Sequence, residues 1–329
     1  MSEKLTKNQR REQAREQARL AREAEKKREK RNRLFLQGGI ALVILAVLAV
    51  IAIVVTQSMK PAGPGPANMI SGGVTFTKDL DVVKTAALQA DETREDRNPD
   101  FTKSPVDVVV YVDYQCPACG SFEQQNGTML EQYAGSGDIN LTVVPLNILD
   151  GQSLGTEYST RAGNLFACVV DQQPEFAFAL HNRLLSPEVQ PAEQTTGLTD
   201  DQLVEQAEAA GADPNTELKQ CVKDQRFAGF INGNTKRVSE VGFLDVADGA
   251  QFVDQVDRQG NIVSMQDADQ PQTLRSTPTV VVNGQQWVPG RDGSLEEYIL
   301  KVKAELDGTA DADADAEDDD SAEGDSAAE

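Results

Sequence analysis

Apolar residues are distributed along this chain in three ways, and each predicts a different kind of element. Up to residue 33 there is no apolar face; charged and helix-favouring residues occupy every position of "KNQRREQAREQARLAREAEKKREKRNR". Leu34–Val55, "LFLQGGIALVILAVLAVIAIVV", is then an unbroken run of 22 residues without a charge. As a helix it spans about 33 Å, enough for a bilayer core. Beyond it, apolar residues come in short blocks, as in a folded α/β domain.

Residues 56–73 are rich in Pro and Gly and read as a linker. One globular domain is expected over 74–306. "VDVVVYV" (Val106–Val112) is β-branched and nearly continuously apolar, so it predicts a largely buried strand. "ACGSFEQQNGTMLEQYA" predicts a helix with Phe122, Met129, Leu130 and Tyr133 on one face, and Gly127 as a candidate kink. "INLTVVPLNI" (Ile139–Ile148) predicts a second buried strand. Helical patterns follow at Ser159–Val170, Pro174–Leu185, Asp200–Ala210 and Thr216–Val241, with Asp200 as an N-cap and Gly211 as a stop. Asn283-Gly284 within "TPTVVVNGQQWV" predicts a hairpin, because both turn positions need positive φ. Ser294 and Glu297 form a capping box at the start of a closing amphipathic helix that ends at Leu306. The acidic segment 307–329 lacks apolar periodicity and is expected to be disordered. The order of elements is that of a layered α/β domain with a helical block, about 155–240, between its halves.

Charge adds orientation. The net charge is -22, yet residues 1–33 hold thirteen basic and six acidic side chains. The basic arm before the apolar run places 1–33 in the cytoplasm as a basic arm, 34–55 in the membrane, and the domain outside the cell membrane on a single-pass anchor. A cleaved signal peptide is the rival reading, but both the basic and the apolar segments are longer than a signal peptide needs. So acidic a domain is poorly suited to nucleic acid.

The chain has four cysteines, Cys116, Cys119, Cys168 and Cys221, all on the outer side, where disulfides persist. Cys116-Pro117-Ala118-Cys119 can be a redox pair, half a metal site, or a loop-closing disulfide. Cys168 and Cys221 are 53 positions apart and form no second metal-binding knuckle, which disfavours zinc. The context favours redox chemistry. Cys116 ends a strand and opens a helix, with Pro117 in the first turn, where its missing N–H costs nothing. Helix N-terminal N–H groups stabilise a thiolate, which is the reactive form.

Tyr111-Val112-Asp113-Tyr114-Gln115-Cys116-Pro117-Ala118-Cys119, with Phe122-Glu123, resembles the active-site stretch of DsbA-like thiol:disulfide oxidoreductases of the thioredoxin superfamily. Ser276-Thr277-Pro278-Thr279-Val280-Val281-Val282-Asn283-Gly284 resembles the second signature of that family, a cis-proline loop entering a hairpin. The resemblance covers about residues 100–306. It implies a thioredoxin-like fold: a central mixed β-sheet flanked by helices, with an inserted helical domain, here preceded by one transmembrane helix. It implies a catalytic Cys116–Cys119 disulfide facing Thr277 and Pro278, whose backbone would pair with an extended substrate. It implies exported cysteine-containing proteins as substrates, a membrane quinone-linked reoxidase as partner, and no bound cofactor.

The sequence departs from the family at three places. Ala118 replaces the His of strongly oxidising members, which implies a weaker oxidant. Val110 stands where many thioredoxin-fold members carry a buried acid, so Asp113 becomes the candidate proton relay. Ser276 replaces a common Gly, after an acidic stretch, about Phe243–Gln272, to which no role is assigned. A disulfide reductase or isomerase on the same fold, or a non-enzymatic peptide-binding module, are the alternative functions. Cys168 and Cys221 are read as a structural disulfide stapling two helices, with buried thiols or a second redox pair as the alternatives. His181 is expected at a surface or helix edge, and Trp287 in packing.

Overall fold

The structure, a computed structural model of the full chain, describes residues 64–320 except 91 and 258, with side chains as far as 308. The predicted basic arm and transmembrane segment lie outside the described residues. Among the described residues no helix is long and apolar enough to cross a membrane.

A five-stranded mixed sheet organises the domain. Its strands are β1 (Val74–Phe76), β2 (Val106–Asp113), β3 (Ile139–Leu146), β6 (Thr279–Val282) and β7 (Gln285–Trp287), in the spatial order β1-β3-β2-β6-β7. The central strand β2 is buried along its whole length, as its β-branched run requires. It runs parallel to β3 and antiparallel to β6. The parallel β2–β3 pair needs a crossover, which α1 (Pro117–Ser136) supplies. That helix passes Gly127 without interruption. The β6–β7 hairpin turns through Asn283 and Gly284, both at positive φ.

The inserted block contains α2 (Tyr158–Gln172), α3 (Ala177–Leu184), α4 (Asp200–Ala209), α5 (Thr216–Lys223) and α6 (Ala228–Lys236). Two expectations are corrected here. The cap of α4 is Thr199, which forms a reciprocal capping box with Gln202; Asp200 is the first helical residue. The single helix expected over Thr216–Val241 is broken at Asp224–Phe227, where Gln225 takes a positive φ, and it ends in a π-turn, Arg237–Val241. The break lets the Phe227 N–H donate to buried Asn164 and sets Phe230 and Ile231 in the core.

The boundaries also differ from expectation. The Pro/Gly-rich stretch joins the fold from its described start: Gly65 N–H donates to Leu88 O, Ala67 N–H to Asp171, and Met69 is fully buried. Pro and Gly here shape a packed segment rather than a free linker. At the other end α7 (Leu295–Asp320) continues past Leu306, across part of the segment expected to be disordered; its alternating Ala residues favour helix. The Ser294–Glu297 capping box that starts α7 is present.

Alternate residues of the strands face two apolar layers. Val108, Val110 and Val112 face the main core with α1 and the helical block. Val109, Tyr111, Val144, Leu146 and Val281 face the other side. The acidic stretch that carried no assignment covers this second face. Phe243 packs against Tyr111 at 4.7 Å and Phe252 at 5.0 Å between ring centres. Beyond it, β4 (Val253–Val256) and β5 (Ile262–Met265) form a separate two-stranded hairpin.

Candidate active site

Cys116 is the N-cap of α1, with Pro117 at the first turn. A tight turn from β2, closed by Cys116 N–H to Asp113 O at 3.0 Å, delivers it there. Cys116 is 7 % exposed and Cys119, one turn on, is fully buried. Both are free thiols. Pro117 and Ala118, between them, face solvent.

Strand register brings the second motif to this point. Tyr111 of β2 lies opposite Thr279 of β6, so the chain just before β6 meets the chain just after β2. The Thr277–Pro278 peptide is cis, and the Cys116 thiol donates to Thr277 O at 3.4 Å. A second cis peptide, Ser104–Pro105, precedes β2.

The two thiols are driven apart in acidity. Cys116 falls to about 6, chiefly because the Cys119 thiol donates to its sulfur; Thr277 and the Cys119 and Ala118 N–H groups assist, against the opposing effect of burial. Cys119 rises well above the ordinary thiol range, through burial first and then its bond to Cys116. The Thr277 hydroxyl is buried without an ordinary hydrogen-bond partner, and its nearness to both sulfurs favours their charged forms.

Asp113 ends β2 fully buried. Burial lifts its carboxyl to about 6, opposed by donation from Ser159 Oγ at 2.6 Å, Gln115 N–H at 2.8 Å and Leu149 N–H at 2.9 Å; the negative charge of Cys116 raises it further. Asp113 therefore titrates in the same range as Cys116.

Two more side chains belong to this region: Gln190, which the sequence did not mark, and His181, which it placed elsewhere. Gln190, in the loop after α3, donates to Cys116 O at 2.9 Å and Tyr114 O at 3.3 Å. Gly120 makes room for it, since a Cβ there would strike the Gln190 amide. His181, expected near a surface, is 3 % exposed. Its Nδ1 lies 3.3 Å from the Tyr114 hydroxyl and its Nε2 3.4 Å from Glu123, behind the CxxC helix. No local signal marks His181 or Gln190, because each meets the site only through the packing of the insertion. Trp287 packs 6.3 Å from Phe122, as a core residue. Cys168 of α2 and Cys221 of α5 form a disulfide with Cα atoms 6.1 Å apart, stapling the insertion. Among the described residues no group of three or more His, Cys, Asp and Glu side chains is placed to hold a metal ion.

The acidity of Cys116 has a direct consequence. The rate of Cys116 alkylation in the reduced protein is expected to follow a titration with a midpoint near pH 6. At pH 7 such a thiol is about 90 % thiolate, against about 3 % for a free cysteine. A midpoint near 8.5 would remove the proposed activation. The folded value is depressed, so the charge stabilises the reduced fold above the ordinary thiol range, and this is lost as pH falls through about 6.

A mixed sheet with a CxxC dithiol at the head of its crossover helix, facing a cis-proline loop, is the arrangement of a thioredoxin-like fold. Residues 101–246 match a family model described as thioredoxin. The chain is similar in structure to oxidised DsbA of Mycobacterium tuberculosis, at 22 % identity and a TM-score of 0.49, over 71 % of this chain and 92 % of that one. It is similar to reduced DsbG of the same organism at 24 % identity and a TM-score of 0.49, over 74 % and 89 % of the two chains. Oxidised BdbD of Bacillus subtilis is 19 % identical with a TM-score of 0.43, over 75 % and 100 %. Among curated proteins, the serine/threonine-protein kinase PknE of M. tuberculosis is 28 % identical over 152 residues, 46 % of this chain and 26 % of the kinase. The chain thus spans about a quarter of the length of the curated relatives it matches.

Proposed function

We propose that this protein is a membrane-anchored thiol:disulfide oxidoreductase that introduces disulfides into exported proteins. The observation that carries the reading is the split acidity of Cys116 and Cys119 beside the Thr277 carbonyl.

A substrate thiolate attacks the Cys116 sulfur of the oxidised pair. Cys119 leaves and takes up a proton, because burial makes its thiolate unfavourable. A second substrate thiol then attacks the substrate sulfur of the mixed disulfide, and Cys116 departs as a stabilised thiolate. The substrate loses two electrons and two protons; one proton stays on Cys119, the other passes to solvent, and the enzyme ends with Cys119 as a thiol and Cys116 as a thiolate. Asp113 is the proton carrier in this scheme, in place of the acid absent at Val110; its link to Cys116 is electrostatic. The Thr277 backbone holds the substrate peptide extended against the site. A quinone-linked membrane protein is the proposed reoxidant, with the domain outside the cell membrane and residues 1–33 in the cytoplasm.

Ala118 favours a second reading, net reduction or isomerisation, since its side chain offers no donor or charge to the Cys116 thiolate. The reduction potential of the full chain in glutathione buffers separates the two. A value of about -120 to -180 mV supports disulfide donation, and about -270 mV rejects it in favour of reduction. Ala118→His is expected to raise the potential by about 30 mV or more, a tenfold change in the exchange equilibrium, by stabilising the thiolate. An unchanged potential would show that solvent screens this exposed position.

A further inference from the structure

The second face of the sheet carries a cluster of cationic and hydroxyl side chains that the redox chemistry does not use. Arg94 is held firmly. Its Nε donates to Asn234 Oδ1 at 2.7 Å, one Nη donates to Phe230 O at 2.8 Å, and the guanidinium lies 4.8 Å from the Phe230 ring centre. Asn234 is itself buried and donates to Gly72 O and Pro145 O. Gly72 and Gly233 keep the space open; a Cβ at Gly72 would press on Asn234, and one at Gly233 on the Arg94 guanidinium.

Arg237 begins the π-turn after α6, a type of irregularity often found at functional sites. Among the described residues its half-buried side chain makes no hydrogen bond or ion pair. Arg94 and Arg237 line one small cleft with Ser71, Tyr111 and Asn234. No carboxylate lines this cleft, in a chain with 53 Asp and Glu. Burial first, and then repulsion by Arg237, lowers Arg94 to about 10. Nearby Arg97 is different, since it is neutralised by Asp107 and Asp245.

The cleft volume is about 20 Å³. That is room for one or two non-hydrogen atoms, since a water needs about 10–15 Å³ on the same measure. A tetrahedral oxyanion is too large to enter whole.

We propose that Arg94 and Arg237 form a binding site for a small monoanion, a halide or the tip of a carboxylate. The anion would sit between the guanidinium groups with the Tyr111 and Ser71 hydroxyls as further donors. It would relieve the cation repulsion and tie the π-turn to β2, five residues before Cys116 but on the opposite face of the sheet.

The test is thermal unfolding of the full-length chain at constant ionic strength, with isethionate exchanged stepwise for chloride, formate or sulfate. Chloride or formate is expected to raise Tm along a saturating curve, and sulfate is not. Response to chloride alone assigns a halide site; response to formate alone assigns a carboxylate tip. The curve is expected to vanish in Arg237→Gln and to persist in Arg226→Gln, which removes one exposed positive charge elsewhere. Arg237→Gln breaks no bond made by the side chain, so it is expected to fold. The proposal is overturned by a flat wild-type response, by saturation that survives in Arg237→Gln, or by a sulfate response equal to that of chloride. Where chloride raises Tm, bromide diffused into crystals gives a direct reading: an anomalous peak between the two guanidinium groups supports the site, and none at saturating bromide then rejects it.

Discussion

Cys116→Ala is expected to reduce thiol–disulfide exchange to the uncatalysed background while leaving the domain folded. Cys116 carries the attackable sulfur and is the thiol that leaves as a stabilised anion. Its partner cannot take over, because Cys119 is fully buried and held far above the ordinary thiol range. The substitution removes one sulfur from a solvent-edge position, so the cavity cost stays near the low end for core truncation. Cys119→Ala is expected to behave differently: it has no disulfide to donate, but its Cys116 thiolate attacks a disulfide-bonded peptide, displaces one peptide thiol and stays as the mixed disulfide, because Cys119 is not there to release it. The measurement is oxidation of a dithiol peptide, and adduct formation with a disulfide-bonded peptide, by each variant, with trapped adducts counted by mass spectrometry. Residual exchange in Cys116→Ala above background would move the chemistry elsewhere. A cellular role that survives Cys116→Ala would favour the peptide-binding reading over an enzyme.

The second large effect is on stability. Replacing both Cys168 and Cys221 by Ala is expected to destabilise the domain by about 4 kcal/mol, because the bridge closes a long loop in the unfolded chain. The two cysteines are 53 positions apart and both are fully buried between α2 and α5. For a domain of this size that corresponds to a fall in Tm of about 8–16 °C. The site itself is built by β2, α1 and the 277–278 loop, so exchange at low temperature is expected to survive. Urea unfolding of the double variant under oxidising conditions checks this, and a change under about 1 kcal/mol would mean that unfolded-state structure cancels the crosslink.

Strands β2, β3, β6 and β7, the CxxC helix, the hairpin turn and the final capping box were legible in the sequence, because each depends on neighbours within a few positions; β1, β4 and β5 were not. Period-two and period-3.6 patterns, an Asn-Gly turn and a Ser…Glu box are short-range devices. The break at Asp224–Phe227 was hidden, since "DQRF" carries no Gly or Pro and is enforced by Asn164, far away in sequence. The packed course of residues from 64 onward was hidden for the opposite reason: Pro and Gly look like linker whenever their long-range partners are unknown.

The same division runs through the site. By itself the sequence determined which two sulfurs face each other, since CxxC at a strand-to-helix junction allows little else, and it marked Thr277-Pro278 by its motif. Tertiary structure alone decided what surrounds them. The register of β2 on β6 sets the Thr277 carbonyl against Cys116, the insertion brings Gln190 and buries His181, and Phe243 and Phe252 turn an acidic stretch into the floor of the second face. Burial is a property of the assembled chain and not of any local pattern. It lifts Cys119 and Asp113 from their ordinary ranges, and no spacing of residues could have reported it.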